Sequence, residues 1–186
     1  MFHFPNVRWT KLQAEALGLP HRVLETGKDE ILSLKEGLAV TNQDLRISGI
    51  VTGAVASDYQ RSRIDRICDE LGLRSFAPLW HKDPRRLVYD LKLLGLKIIM
   101  TGVGARGLDE SWLGRELTDD RWAMLEALSI KHGIHLTGEG GEYETMVVDG
   151  PMFKKRVQIA KVHSEWDGES GHYVIENALL RDKLAN

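Results

Sequence analysis

One tripeptide, used three times, constrains this chain more than anything else in it. Leu17-Gly18-Leu19, Leu71-Gly72-Leu73 and Leu94-Gly95-Leu96 each close a stretch of helical periodicity and open an apolar run. Glycine suits the residue just past a helix end, where the backbone turns left-handed and a Cβ costs energy. The runs that follow, Leu19–Leu24, Leu73–Leu79 and Leu96–Thr101, have the length and apolarity of buried strands, and Ile47–Thr52 is a fourth. Between them, Ile31, Leu34, Leu38 and Leu45 keep a helical rhythm, as do Ile64, Ile67, Cys68 and Leu71. Asp83-Pro84 reads as an N-cap with proline in the first turn, and Leu87, Leu91 and Leu94 line the inner face of that helix. Thr118 caps a helix through Lys131, with Trp122, Leu125 and Leu128 inward. Strand and helix alternate, which predicts an α/β fold with a mainly parallel, Rossmann-like sheet and helices on both faces.

The tail follows another pattern. Thr145–Val148, Val157–Val162 and Tyr173–Ile175 read as strands, with a phase slip at Ala160 and a turn over Asp167–Gly171. These predict a smaller antiparallel α+β extension and divide the chain into residues 1–80 and 81–186, with a soft boundary near Pro78–Pro84. At 186 residues, the chain is long enough for one good core or two small lobes. A formal net charge of −2 gives no basic field for nucleic acid or anionic membrane. No apolar run reaches the roughly 18 residues needed to span a bilayer, and Met1–Pro5 does not look like a signal peptide. The single cysteine, Cys68, sits on an apolar helix face and reads as a buried thiol in a reducing cytoplasm.

Two stretches have the composition of a site. In Ser48–Arg63 an apolar strand runs into the small-residue loop Gly53–Ala56, and a helix starts at Ser57. Ser57 with Gln60 forms a capping box. Helix-start amides at the carboxyl end of a parallel strand attract anions. Thr52, Gly53, Ala54, Ser57 and Gln60 would supply the cradle, Arg61 and Arg63 charge-assisted bonds, and Tyr59 a ring or hydroxyl. An ordinary turn with solvated arginines fits the same residues. The second stretch, Gly138-Glu139-Gly140-Gly141-Glu142-Tyr143-Glu144, puts three glycines and three carboxylates in seven residues. Glycines let backbone approach a ligand, and carboxylates hold a cation or accept a proton; an exposed turn before a strand is the plain alternative.

Other features read more blandly. His132 and His135 flank Gly133 as end-of-helix histidines without a recognised zinc spacing, so no metal site is assigned. Lys154-Lys155-Arg156 reads as a solvated strand edge that could instead meet an acidic partner. Trp80 lines a cleft or packs in a core. Asp109–Gly114 is a lid or simple packing.

Taken together, several of these stretches resemble the diphthine–ammonia ligase family, within the adenine-nucleotide α-hydrolase-like superfamily. They are Met1-Phe2-His3 with Leu12–Ala16, Gly53–Arg63, Pro78–Lys82, Leu108–Gly114, Gly138–Thr145 and Phe153–Arg156. The resemblance spans nearly the whole chain, and the order of the motifs makes it more specific than any single one. It implies a nucleotide-binding domain over 1–80 and a substrate-binding domain over 81–186. It further implies ATP with Mg2+, and amidation by ammonium of diphthine, a modified histidine of elongation factor 2, through an acyl-adenylate. A homodimer is compatible with this, and no direct nucleic acid or membrane partner is implied. Glu139, Glu142, Glu144 and Arg61 are then the catalytic candidates. Thr52, Gly53, Ala54, Ser57, Tyr59, Gln60, Arg61 and Arg63 would hold the nucleotide, and Gly140, Gly141, Tyr143 and Trp80 the substrate.

The family's phosphate loop, of Ser-Gly-Gly-Lys-Asp-Ser type, has no counterpart here; Gly27-Lys28-Asp29 only echoes it. Backbone amides of such a loop hold phosphate, so slow or absent adenylation by this chain is expected, with a late start the favoured explanation. A non-catalytic binding module and a sister ligase acting on a small carboxylic acid are the rival readings.

Overall fold

The computed structural model describes residues 6–25 and 27–183. Met1-Phe2-His3, one of the stretches behind the resemblance, lies outside them. The chain forms two compact units: Met1–His21 with Asp83–Asn186, and Arg22–Lys82.

In the Arg22–Lys82 unit, helix α2 (Glu30–Leu45) leads into strand β1 (Gly49–Val51), helix α3 (Asp58–Leu71) and strand β2 (Arg74–Phe76). Asp29 caps α2 by accepting from the amides of Ile31 and Leu32. β1 and β2 pair in parallel, Ile50 opposite Ser75, as a β-α-β crossover requires. The core of this unit is small: Ile64, Cys68 and Leu73 are buried, with Leu34, Ile47, Ile50 and Leu71 packed against them. The apolar row of α2 contributes no fully buried residue, and both β strands are thinly covered, Val51 being 71% exposed.

The other unit is built on an antiparallel sheet of order β4-β3-β6-β5, from β3 (Lys97–Val103), β4 (Tyr143–Asp149), β5 (Lys155–Trp166) and β6 (Gly171–Asp182). Side chains alternate along β3, so Ile98 and Ile99 serve opposite cores. On one face Ile98, Met100, Val103 and Tyr143 pack with Val88 of helix α4 (Pro84–Leu93), Trp122 and Leu125 of helix α5 (Asp119–His132), and Trp112. On the other, Ile99, Met146, Val157, Ile175 and Ala178 close over Ala16 of helix α1 (Thr10–Leu17) and Phe153. The amino-terminal segment is fastened to this sheet by hydrogen bonds. Asn6 Nδ2 donates to the Tyr173 carbonyl (2.8 Å), Trp9 Nε1 to that of Ile175 (2.8 Å) and Gln13 Nε2 to that of Val147 (2.8 Å).

The α/β class expected from the sequence is what the chain forms, as a small parallel sheet plus a separate antiparallel one. Three local expectations differ. Leu19–Leu24 is irregular, not a strand: none of the described strands pairs with it, Pro20 lacks a donor, and Leu19 and Val23 face solvent. Most of Leu96–Thr101 falls in β3, a strand that pairs antiparallel with β4 and, through Gly102 and Val103, with β6, because the chain after it returns as an antiparallel neighbour and not through a parallel crossover. Leu94 follows the end of α4 and is exposed, not inward. The phase slip at Ala160 is a bulge, marked by register shifts between Ile159 and Val162.

Candidate functional site

The two stretches singled out by composition fall in different units, and each has its own geometry. In the Arg22–Lys82 unit, β1 ends at Val51, and the Thr52 amide donates to the Phe76 carbonyl (3.0 Å), extending the strand pair by one bond. Ala54 and Val55 are buried, and the Val55 carbonyl accepts from the His81 amide (2.8 Å). This ties the loop to the Ala77–Lys82 turn. A Cβ placed on Gly53 would meet nothing within 4 Å, so the backbone there borders open space. Ser57 caps α3: its Oγ accepts from the Gln60 amide (3.3 Å), and its carbonyl accepts from Gln60 and Arg61. The first amides, of Asp58 and Tyr59, have no acceptor within the helix.

The arginines are held by their own helix. Arg61 Nε lies 3.4 Å from Asp65 Oδ2, and its guanidinium sits 4.5 Å from the centroid of the Trp80 ring. Asp65 in turn accepts from Ser75 Oγ (2.5 Å). Arg63 lies over the Tyr59 ring, 3.2 Å from its centroid, and donates to the Tyr59 carbonyl (3.1 Å). Trp80 stacks obliquely on His81 at 4.6 Å, and His81 has φ of 54°, a left-handed conformation uncommon for such a side chain. Asp65 escaped the sequence analysis, and His81 entered it only as part of the Pro78–Lys82 stretch, without a role. The i, i+4 spacing of Arg61 and Asp65 could have found the first; nothing local signals the strained backbone of the second.

In the other unit the glycine-rich loop is organised around one carboxylate. Glu142 Oε1 accepts from the His135 amide (2.8 Å), and Oε2 from the Gly140 amide (2.9 Å). The Glu142 carbonyl accepts from the Gly104 amide (2.9 Å), fixing the loop to the end of β3. This explains the glycines. Gly138 and Gly141 have φ of 72° and 81°, and a Cβ on Gly140 would lie 2.7 Å from Glu142 Oε1. Tyr143 is buried beneath, its hydroxyl donating to the Leu136 carbonyl (2.6 Å). Burial, then the charges of Glu142 and Glu139, push its pKa well above the ordinary tyrosine range. Glu139 lies half-buried on the loop. Glu144 is one residue into β4's ladder, opposite Gly102, whose other neighbour is His172. His172 Nδ1 is buried without a hydrogen-bond partner among the described residues. It too was missed, because only the strand register brings it opposite Gly102, across β3 from Glu144.

The remaining motifs are accounted for by packing. Asp109 caps a single 3-10 turn, Glu110–Trp112, and Trp112 and Leu113 are buried. Gly133 ends α5 between His132 and His135. Phe153 is in the core, and Lys155 opens the edge strand β5. Among the described residues, no helix is long and apolar enough to cross a membrane.

Comparison with known proteins agrees on one family. Residues 83–180 match the diphthamide synthase C-terminal domain, and residues 1–75 the diphthamide synthase N-terminal domain. Among curated proteins the chain is similar to the diphthine–ammonia ligases of mouse (39% identical, 80% of this chain and 61% of that protein), rat (38%, 82% and 64%) and zebrafish (37%, 80% and 64%). It thus spans somewhat over three-fifths of the length of these relatives. The carboxyl-terminal match alone covers more than half of the 186 residues, and the chain belongs to the diphthamide synthase family.

Proposed function

We propose that this chain carries the nucleotide-facing helix and the acidic loop of an ATP-dependent ligase that converts diphthine on elongation factor 2 to diphthamide. The observation that carries the reading is the agreement of both family domains, in order, with relatives named diphthine–ammonia ligase. The geometry around Gly53 supports it. Open space over a glycine backbone, the Asp58 and Tyr59 amides without an acceptor inside their helix and a cationic side chain one turn past Ser57 suit a phosphate. ATP is here a substrate. Magnesium would accompany it; the described residues contain no group of three histidine, cysteine or acidic side chains that would cage the ion, so the ion fits the triphosphate better than it fits the protein.

The chemistry balances in two steps. A diphthine carboxylate oxygen attacks the α-phosphorus of ATP, and pyrophosphate leaves with the electron pair of the broken P–O bond. Ammonia then attacks the activated acyl carbon, AMP leaves, and the nitrogen gives up one proton as the amide forms. Arg61, carried on the first turns of α3, is the residue to meet the developing phosphate charge. Glu139 and Glu144 are the carboxylates to take the proton from the incoming nitrogen, or to face the trimethylammonium of diphthine. Glu142 serves by shaping their loop. Cytoplasmic location follows from the substrate.

Calorimetric titration of the 186-residue chain with ATP, and pyrophosphate release in the presence of diphthine-bearing factor and ammonium, test the reading. Micromolar binding with pyrophosphate release, even at the slow rate expected without the phosphate loop, supports the ligase. Binding without turnover indicates a recognition module, and release driven by small carboxylic acids indicates a sister ligase.

A further inference from the structure

The outer face of the β5–β6 hairpin carries charge in two different arrangements. Near the turn, charges are paired: Glu176 accepts from Lys161 and from His163 Nδ1 (2.7 Å), and Glu165 lies 3.3 Å from His163 Nε2. At the open end, Arg156 and Arg181 stand directly opposite each other across the strands. Both are exposed. Arg181 Nε donates to Gln158 Oε1 (3.1 Å), and neither guanidinium has a carboxylate partner among the described residues. Like charges in that position destabilise a strand pair, so the fold carries a cost here that it avoids a few residues away. Arg156 also lines a cleft with Lys97, Asp149, Gly150 and Lys183. There Lys97 is paired with Glu116 (3.0 Å) and Lys183 with Asp149 (2.8 Å), leaving Arg156 as the cation with bonding capacity to spare.

We propose that Arg156 and Arg181, with Gln158 and Leu179 as the next cross-strand pair on the same face, form a docking surface for a carboxylate-bearing segment of the protein substrate, an inference that rests on the amidation reading above. Guanidinium forks match carboxylates bidentately, and a partner carboxylate between the two arginines relieves their repulsion. Leu179, opposite Gln158 in the neighbouring pair, gives the contact an apolar flank. A protein fits better than nucleic acid for two reasons. The chain as a whole is net negative, which repels a polyanion at range, and this row has no aromatic ring on which bases could stack. β5 is an edge strand, so the row is reachable without disturbing the sheet.

The test is binding, not turnover, by biolayer interferometry with immobilised diphthine-bearing elongation factor 2 and the 186-residue chain. Arg156→Gln/Arg181→Gln is expected to weaken binding roughly tenfold, mainly through association rate, and to flatten its salt dependence. Arg156→Glu/Arg181→Glu weakens it further, and ATP affinity stays at the wild-type value in both. Because the repulsion is removed, the glutamine pair should melt at or above the wild-type temperature, which separates lost docking from lost fold. Wild-type affinity and salt slope in both variants overturn the docking surface while leaving the ligase reading standing. A wild-type chain that does not bind the factor overturns both. Tighter binding to a poly-uridine RNA than to the factor, abolished in the glutamine pair, overturns the choice of a protein partner.

Discussion

Replacing Glu142 by alanine separates two roles that its sequence context leaves mixed. In the structure its carboxylate accepts from the amides of His135 and Gly140 at 2.8 and 2.9 Å. A hydrogen bond to a charged group contributes about 1.5–3 kcal/mol when shielded and much less where water replaces it. The His135 amide lies in a partly buried bond and the Gly140 amide in an exposed one. The loss should therefore be about 2–3 kcal/mol, most of it from the His135 bond. For a chain of this size that corresponds to roughly 5–10 °C in melting temperature. Glu142→Gln should fall between, since an amide has one acceptor oxygen and would turn an NH2 donor toward the other backbone donor. Differential scanning calorimetry gives the stability, and hydrogen exchange over residues 135–142 should show the protection of those two amides disappearing. A Glu142→Ala protein within about 0.5 kcal/mol of wild type, with both amides still protected, would refute the brace. If that protein had also lost ligase activity, the carboxylate would belong to the chemistry.

Three further outcomes follow from the same geometry. Gly138→Ala places a Cβ 3.0 Å from the Tyr143 carbonyl oxygen at φ of 72°, and should cost about 1–3 kcal/mol in denaturant unfolding. Tyr143 has a raised pKa in the folded chain, so its contribution is complete below the ordinary tyrosine pKa of about 10 and is lost as pH rises beyond it. Tyr143→Phe should therefore flatten the fall in stability measured above that pH, while costing about 1 kcal/mol at neutral pH for the Leu136 bond. Cys68 is buried, and burial, then Asp65, pushes its thiol pKa up. Labelling by an aromatic disulfide should track opening of the unit and accelerate with sub-denaturing urea; labelling at free-thiol rates in buffer would contradict the packing.

Helix ends were the most legible part of the fold because they are decided locally. Gly18, Gly72 and Gly95 have the left-handed backbone their position implied, and Ser57, Asp83 and Thr118 cap as their spacing predicted. A bulge could be read at Ala160 because one extra residue shifts the in-out alternation of a half-buried strand. Strand partners could not be read. Leu96–Thr101 is equally apolar whether its neighbours run parallel or antiparallel, and both faces of β3 are buried here beneath helices. The glycine-rich loop was legible as unusual, but its composition is shared by ligand cradles and by turns wrapped on a carboxylate. Only the convergence of the His135 and Gly140 amides on Glu142 identifies the second arrangement. Asp65 was within reach of its i, i+4 spacing from Arg61, whereas His81 and His172 depend on a dihedral angle and a strand register that spacing along the chain does not encode.

Helix α1 fills the space under its sheet, with Ala16 wholly enclosed and the Ala16 carbonyl accepting from the Lys154 amide. Sixty-one residues of another unit separate it from the strands it serves. The sheet is thus finished by a piece made long before it during synthesis. A fragment cut to begin at Asp83 would emerge with an apolar hollow where Ala16 and Leu12 belong, and adding back a peptide of residues 6–21 should restore it.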